Sequence, residues 1–197
     1  MNEQKEIEVK IQIENPDIVR VLLESMNVEM IDHCIEEDHY FNHPCLDFAL
    51  TDQALRLRKR TCNKKGVFFT ITYKGPRENR LDTVKTREEV ELFLGEQAWS
   101  NMFKILNKLG FKHVIGFTKE REIYRGEGFT LSIDYLHGVG WFLEIELEKH
   151  RPESSLSELT SRIIQITMGR IIEKTYLEIC LETRNCSEIK GRGNVNY

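Results

Sequence analysis

The segment 5–13 alternates charged and apolar side chains, and its charges have both signs. Because side chains of a β-strand point alternately to its two faces, Glu6, Glu8 and Lys10 share one face, opposite Ile7 and its apolar neighbours. Such a set is common on the solvated face of an antiparallel sheet. If the face is enclosed, however, two carboxylates and an ammonium group can hold a divalent cation together with an anion.

The same alternation recurs in later parts of the chain. Arg56, Arg58 and Arg60 share one face of the segment 54–60, with leucines between them. Other cations spaced in this way are Lys74, Lys85, Arg87, Lys119 and Arg121. Carboxylates on similar segments are Glu89, Glu91, Asp134, Glu144 and Glu146. Charges of both signs on so many strands indicate one shared interior.

This set of charges defines the chemistry that the interior favours. Converging arginines and lysines favour a polyanionic ligand, and carboxylate oxygens are the ligands that Mg²⁺ and Mn²⁺ prefer. A metal-bound triphosphate satisfies both requirements. The run Arg56–Arg60 also fits a nucleic-acid patch, but its alternation with leucine and the net charge of −4 argue against one.

Eight segments carry a strand pattern, and together they predict the fold. They lie near residues 4–13, 37–41, 54–60, 66–74, 83–93, 114–124, 129–136 and 140–149. We expect a closed, eight-stranded antiparallel β-barrel with a charged interior, because closure encloses one face of every strand and removes the sheet edges. The outward faces are apolar, so amphipathic helices must cover them, which makes the fold α+β.

Helices are predicted over residues 17–26, 96–109, 156–168 and 171–181. Asn15 and Pro16 provide an N-cap and a first helical residue for the first of them. Gly110 ends the second helix. Ser155 and Glu158 match a capping box for the third.

Length and composition favour an ordinary globular protein. The 197 residues, with 30% charged and 40% hydrophobic side chains, predict one domain over 1–184 and a disordered tail over 185–197. Neither a signal-peptide core nor a membrane span is evident, so we expect a cytoplasmic protein that binds no membrane and no nucleic acid. Five cysteines without Cys-x-x-Cys spacing predict free thiols in a reducing compartment.

Several motifs, in order, resemble those of a known family over residues 5–182. The segment Glu6–Lys10 resembles the Glu-x-Glu-x-Lys motif of the CYTH superfamily, the triphosphate tunnel metalloenzymes. Further segments resemble its class IV adenylate cyclase branch: Tyr40–Pro44, Ala54–Arg58, Thr72–Pro76, Lys85–Glu91, Lys119–Arg121 and Ile133–Glu146. Tyr40 stands where the His-Phe-x-x-Pro motif of that branch has its histidine.

The resemblance implies roles for the charged residues and a cofactor, Mg²⁺ or Mn²⁺. Glu6, Glu8 and Glu144 are expected to ligate the metal, and Glu146 and Asp134 are the next candidates. Lys10 joins Glu6, Glu8 and Glu144 as the catalytic set. The expected triphosphate-binding residues are Lys10, Arg56, Arg58, Lys74, Lys85, Arg87, Lys119 and Arg121. Glu89 and Glu91 either orient these cations or belong to a second metal site.

Two reactions fit such an interior. A class IV adenylate cyclase converts ATP to cyclic AMP and pyrophosphate, whereas an inorganic or thiamine triphosphatase hydrolyses the terminal phosphate. A non-catalytic nucleotide or polyphosphate binder is the third alternative, but its carboxylates would repel phosphate in the absence of a metal. We expect ATP or another triphosphate as the ligand, and a monomer or homodimer.

The segment Tyr40–Pro44 has two interpretations. It is aromatic and carries hydrogen-bonding side chains, so it is a candidate for the purine pocket that a cyclase needs. Alternatively, Tyr40 and Phe41 complete the second strand and pack under a helix. The sequence does not decide between these interpretations.

Overall fold

A computed structural model describes residues 4–26, 28–77, 85–147 and 153–186, with only the backbone at 4–7, 85–86 and 153–155. The strands are β1 (Gln4–Ile13), β2 (Glu29–Asn42), β3 (Ala54–Cys62), β4 (Gly66–Lys74), β5 (Lys85–Leu94), β6 (Lys112–Gly126), β7 (Phe129–Leu136), β8 (Gly140–Leu147) and β9 (Arg170–Ile171). The helices are α1 (Pro16–Ser25), α2 (Phe48–Thr51), α3 (Glu96–Lys108), α4 (Glu153–Thr167) and α5 (Tyr176–Thr183).

All nine strands belong to one antiparallel sheet, in the order β5-β4-β3-β2-β6-β7-β8-β1-β9. The first part of β1 also pairs with β5, from Gln4 opposite Glu89 to Glu8 opposite Lys85. On the same edge, further along β1, Ile11 pairs with β9. The predicted closed, eight-stranded barrel is therefore wrong: the sheet has nine strands, and because β9 shares the edge of β1 with β5, the sheet does not close into a barrel.

A glycine allows the ninth strand to form. A Cβ atom at Gly169 would lie 2.7 Å from a methyl carbon of Ile11 and 2.9 Å from the carbonyl oxygen of Gln12. The backbone of 170–171 can approach β1 this closely because residue 169 has no side chain. The predicted helix over 171–181 is consequently wrong at its start, and α5 begins only at Tyr176.

The other helices follow the sequence more closely. The Asn15 side chain accepts a hydrogen bond of 2.9 Å from the Asp17 amide, which confirms it as the cap of α1. Gly110 follows α3 with a φ angle of +86°, the left-handed conformation that favours glycine at a helix end. In contrast, α4 begins at Glu153, so Ser155 lies inside the helix and the predicted capping box is wrong. The short helix α2 was not predicted.

The apolar outward faces of the strands are covered by helices, as predicted. Val19 and Leu23 of α1 and Ile163 of α4 form one buried cluster with Ile11 and Ile145 of the sheet. A second cluster lies between α3 and the strands β2 to β4, and a third contains Tyr176 and Ile179 of α5. Each fully buried aliphatic side chain contributes about 1.5–3 kcal/mol to stability. The charged residues lie on the opposite faces of the strands.

Four of the five cysteines form disulfides, which corrects the prediction of free thiols. Cys34 and Cys62 lie opposite each other on β2 and β3 and are bonded, and Cys180 is bonded to Cys186. Cys45 is free and exposed. Cys186, in the segment predicted as a disordered tail, is buried and bonded to α5, and the residues after it lie outside the described part of the chain.

In the part of the chain that the structure describes, no helix has the length and apolar character needed to cross a membrane.

Candidate functional site

The charged faces of the strands surround a cavity of about 1140 Å³. Among the described side chains, ten cations line it: Lys10, Arg56, Arg58, Arg60, Lys65, Lys74, Arg87, Lys119, Arg121 and Arg125. Six carboxylates line it as well: Glu8, Glu88, Glu89, Glu91, Glu144 and Glu146. The alternation in the sequence thus brings charged side chains from six strands, β1, β3, β4, β5, β6 and β8, to one cavity.

Two buried carboxylates of β2 bind cations of the neighbouring strands β3 and β6. Asp38 accepts two hydrogen bonds from Arg58, of 2.5 Å and 2.6 Å, and Glu36 lies 3.1 Å from Arg58 and 3.2 Å from Lys119. Arg60 is a third ion-pair partner of Glu36. Burial by itself would raise the pKa of Glu36, but Arg58, Lys119 and Arg60 hold this pKa well below its usual range.

Glu36 and Asp38 were missed in the sequence, although a signal was present. Cys34, Glu36, Asp38 and Tyr40 alternate along β2, but the predicted strand began only at residue 37. Arg60 was recognised on the same face as Arg56 and Arg58 but was not included among the site residues. The structure places it on the cavity wall.

Asp134 is fully buried, and its carboxylate is bound by cations. Its carboxylate accepts hydrogen bonds from Arg121 at 2.7 Å and 2.5 Å, from Lys119 at 3.3 Å and from the hydroxyl of Tyr176 at 2.7 Å. It is not among the residues that line the cavity. This arrangement fixes the positions of Lys119 and Arg121, and the metal contact expected for Asp134 from the sequence stays a prediction.

Three carboxylates line the cavity on the adjacent strands β1 and β8. Glu8 pairs with Glu146, and Lys10 pairs with Glu144. The Nζ atom of Lys10 lies 3.1 Å from Oε1 of Glu144, whose other oxygen accepts a hydrogen bond from Arg121. Carboxylate oxygens are the ligands that a hard divalent cation prefers. The side chains of Glu6 and Lys85, assigned to the metal and phosphate sets, lie outside the described part of the structure, although their backbones pair between β1 and β5.

The remaining predicted cations are paired on β4 and β5. Glu89 forms ion pairs with both Lys74 and Arg87, the latter at 3.4 Å. Thr72 links Arg56 of β3 to Glu91 of β5. The Thr72 hydroxyl accepts a hydrogen bond of 3.2 Å from Arg56 and donates one of 2.8 Å to Glu91. These contacts fit the first of the two roles predicted for Glu89 and Glu91, that of orienting the cations.

Tyr176 closes part of the cavity wall from α5. Its ring centroid lies 3.8 Å from the Nζ atom of Lys10 and 4.7 Å from that of Lys119, so two ammonium groups face one aromatic ring. Burial and the neighbouring Asp134 raise the pKa of Tyr176 well above its usual value. The hydroxyl therefore stays protonated and donates to Asp134.

Tyr40 and Phe41 lie near the end of β2, as the second interpretation expected. Tyr40 lines the cavity, but its ring stacks on Phe117 at a centroid distance of 5.7 Å. Phe41 points to the opposite face and packs against Phe103 of α3, at 5.6 Å. Asn42 and His43 accept hydrogen bonds from backbone amides of the following turn. The purine pocket predicted here is therefore not formed by Phe41, Asn42 or His43.

Comparison with known proteins gives one family and close relatives. The family model described as the CYTH domain matches residues 4–176. The protein MJ0240 of Methanocaldococcus jannaschii, provisionally named an adenylate cyclase, is 37% identical over 180 residues, covering 88% of this chain and 97% of that protein. The adenylate cyclase CyaB of Aeromonas hydrophila is 26% identical over 182 residues, covering 89% of this chain and 88% of CyaB. The solved structure of the PH1819 protein of Pyrococcus horikoshii matches with a TM-score of 0.77 and 34% identity, covering 91% of this chain and 99% of that one.

Proposed function

The chain belongs to the CYTH domain family, and on that premise we propose that it is a metal-dependent class IV adenylate cyclase. It converts ATP to cyclic AMP and pyrophosphate. The observation that carries this proposal is the cavity of about 1140 Å³, on which ten cations and six carboxylates of the described residues converge. The names of the Methanocaldococcus and Aeromonas relatives support the cyclase reaction.

We further propose that the cavity is a triphosphate tunnel. The pairing of β1 with β5 over Gln4–Glu8 supports this, because it brings these two strands, both of which carry cavity-lining side chains, next to each other. The polar faces of the strands line the cavity, and the helices cover the apolar faces. A tunnel of this kind holds a linear polyanion along its length.

The phosphates are bound by the cations that the sequence singled out. Arg56, Arg58 and Arg121 present planar guanidinium groups, which can hold two oxygens of a phosphate at once. Lys10 and Lys119 add point charges beside them, and Lys74, Lys85 and Arg87 complete the set. All of the described members are at most partly exposed, so their attraction for phosphate is weakened little by water.

The carboxylates on β1 and β8 fit a divalent metal ion. Glu8, Glu144 and Glu146 would hold it, with Glu6 as a further ligand from the same face of β1, because these oxygen donors match the preference of Mg²⁺ and Mn²⁺. When bound there, the ion supplies neutralisation of phosphate charge and lowers the pKa of an attacking oxygen. Asp134, which already binds Arg121, Lys119 and Tyr176, supports this site from behind.

The protein contributes position and electrostatic stabilisation to the reaction. The 3′-hydroxyl group of ATP loses its proton to water, its oxygen forms a bond to the α-phosphorus, and the bond from that phosphorus to pyrophosphate breaks. Negative charge grows on the leaving pyrophosphate, where fixed lysines and arginines stabilise it more in the transition state than in the ground state. Their carboxylate partners, such as Asp38 behind Arg58, keep them in place before substrate arrives.

Triphosphate hydrolysis is the second candidate, and one observation favours it. Phe41, Asn42 and His43, which were expected to hold a purine, do not line the cavity. The same lining would bind inorganic triphosphate or thiamine triphosphate equally well, with water attacking the terminal phosphorus. A non-catalytic binder is disfavoured, because the three carboxylates on β1 and β8 would weaken phosphate binding without a metal.

The test is a product analysis. Purified protein is incubated with ATP, tripolyphosphate or thiamine triphosphate, each with Mg²⁺ or Mn²⁺, and the products are separated. Cyclic AMP and pyrophosphate from ATP are the expected result. Orthophosphate as the only product of ATP, with tripolyphosphate the better substrate, would identify a triphosphatase instead. A cytoplasmic location and a monomeric or dimeric state remain predictions from the sequence.

A further inference from the structure

An aromatic corner lies inside the charged cavity. Phe93 of β5 lines the cavity and yet is 70% exposed. Its ring centroid lies 6.2 Å from that of Phe68 on β4, and the guanidinium carbon of Arg60 lies 5.5 Å from the centroid of Phe68. An aromatic side chain left in water at the wall of a cavity gains free energy when a ligand covers it.

This corner is close to the proposed phosphate site. Phe93 is directly opposite Thr70 of β4, and Thr70 is directly opposite Arg58 of β3. Since neighbouring strands are about 4.8 Å apart, the Cα atoms of Phe93 and Arg58 are about 10 Å apart. A single ligand can therefore place a phosphate at Arg58 and a ring against Phe93.

Apolar side chains from other strands line the same end of the cavity. Ile31 and Ile123 both contribute to its wall. Ile31 lies at a β-bulge between Met30 and Asp32, a feature that redirects a side chain and occurs often beside binding sites. Asp32 accepts a hydrogen bond of 3.1 Å from the amide of Lys65 in the β3–β4 turn, which places this bulge at the end of the cavity where Phe68 and Arg60 lie.

We propose that Phe93, backed by Phe68 and Arg60, is the surface on which the planar aromatic ring of a nucleoside triphosphate stacks. Isoleucine side chains and an aromatic face provide the apolar contacts that a base needs, and the adjacent arginines bind its phosphates. This inference rests on the proposed function, and it names the substrate class as nucleoside triphosphates in preference to inorganic tripolyphosphate. It also supplies the base site that the segment Tyr40–Pro44 does not.

The experiment compares two ligands in matched variants. Binding of ATP and of tripolyphosphate to wild type, Phe93→Ala, Phe93→Trp and Leu92→Ala is measured by calorimetry, with Ca²⁺ replacing Mg²⁺ to slow turnover. Leu92 is the control because it is the neighbouring side chain, is 62% exposed and is not among the residues that line the cavity. Because Phe93 is itself exposed, its replacement should leave the fold intact.

Phe93→Ala should weaken ATP binding about 10-fold or more and leave tripolyphosphate binding within about twofold of wild type. Phe93→Trp should retain ATP binding, and Leu92→Ala should change neither ligand. Equal effects of Phe93→Ala on both ligands, or no effect on ATP, would overturn the stacking site. Wild type that binds tripolyphosphate but not ATP would also overturn it while leaving the triphosphate site standing. Wild type that binds neither would refute the proposed function itself, and the inference with it.

Discussion

The Nζ atom of Lys10 lies 3.1 Å from Oε1 of Glu144, across the pair of strands β1 and β8. Arg121 donates a hydrogen bond to the other oxygen of the same carboxylate. One proposed metal ligand therefore neutralises two proposed phosphate-binding cations. Binding of a divalent ion by Glu144 would release Lys10 and Arg121 for phosphate, so metal and triphosphate should strengthen each other's binding.

Glu144→Gln tests this relationship. The amide keeps the shape of the side chain but removes its charge, so Lys10 loses this carboxylate partner and Arg121 keeps Asp134. Tripolyphosphate in the presence of EDTA should bind the variant about 10-fold more tightly than wild type, by calorimetry. Turnover with Mg²⁺ should fall by about 100-fold or more, because a metal ligand is lost.

Glu24→Gln on the exposed surface of α1 is the matched control, with the same change of charge and no contact with the cavity. It should bind tripolyphosphate as wild type does. If Glu144→Gln bound tripolyphosphate more weakly than wild type in EDTA, the coupling through Glu144 would be wrong.

Arg58→Lys tests the hydrogen-bonding geometry of the guanidinium group separately from its positive charge. The lysine keeps the positive charge but cannot form both hydrogen bonds that Arg58 donates to Asp38 at 2.5 Å and 2.6 Å. We expect the free energy of unfolding to fall by about 1–3 kcal/mol, and the affinity for tripolyphosphate to fall with it. Urea denaturation and calorimetry measure the two effects.

Lys59→Ala is the control for Arg58→Lys. Lys59 points away from the cavity, is partly exposed and pairs with Glu37 at 2.8 Å. Its removal should change stability by less than about 1 kcal/mol and leave ligand affinity unchanged. A larger effect of Lys59→Ala than of Arg58→Lys would contradict the register of β3.

The low pKa of His39 predicts that the folded protein loses stability in mild acid. Burial, together with His113 at 3.1 Å, lowers the pKa of His39 from 6.5 to about 4. The unfolded chain therefore binds a proton as the pH falls below about 6.5, whereas the folded protein does not until about pH 4. The free energy of unfolding should decrease by about 2 kcal/mol between pH 7 and pH 5.

His39→Phe should make stability less dependent on pH in that range, because the ring still packs against Trp99 and Phe103 but cannot be protonated. Urea midpoints at several pH values provide the measurement. An unchanged pH dependence in the variant would assign the acid sensitivity to another group.

The disulfide between Cys34 and Cys62 should contribute measurably to stability. It closes a loop across 28 residues of sequence, so its reduction should lower the free energy of unfolding by about 3.5 kcal/mol through the entropy of the unfolded chain. The bond between Cys180 and Cys186 spans only six residues and should contribute less. Titration of the denatured, unreduced protein should find one free thiol, that of Cys45. Five free thiols in this titration, or a free energy of unfolding that reductant does not change, would support the prediction from the sequence that the cysteines are free.

The alternation of side chains was sufficient to identify most of the candidate site. Arg56 and Arg58, and likewise Glu144 and Glu146, are two residues apart, and a strand places such residues on one face whatever its surroundings. The Asn15 cap was also predictable, because its hydrogen bond joins residues that are neighbours in sequence. These features depend on local geometry alone.

The tertiary structure decided which residues become partners. Asp134 binds Arg121 and Tyr176, and Glu144 binds Lys10, because strands that are distant in sequence pair in one register, and a shift of one residue would reverse every face. The ninth strand, the two disulfides and the exposure of Phe93 likewise depend on how remote segments pack. Alternation predicts that Tyr40 and Phe41 face opposite sides, but only the assembled sheet determines that Tyr40 is the one at the cavity, since the order of strands decides which side is enclosed.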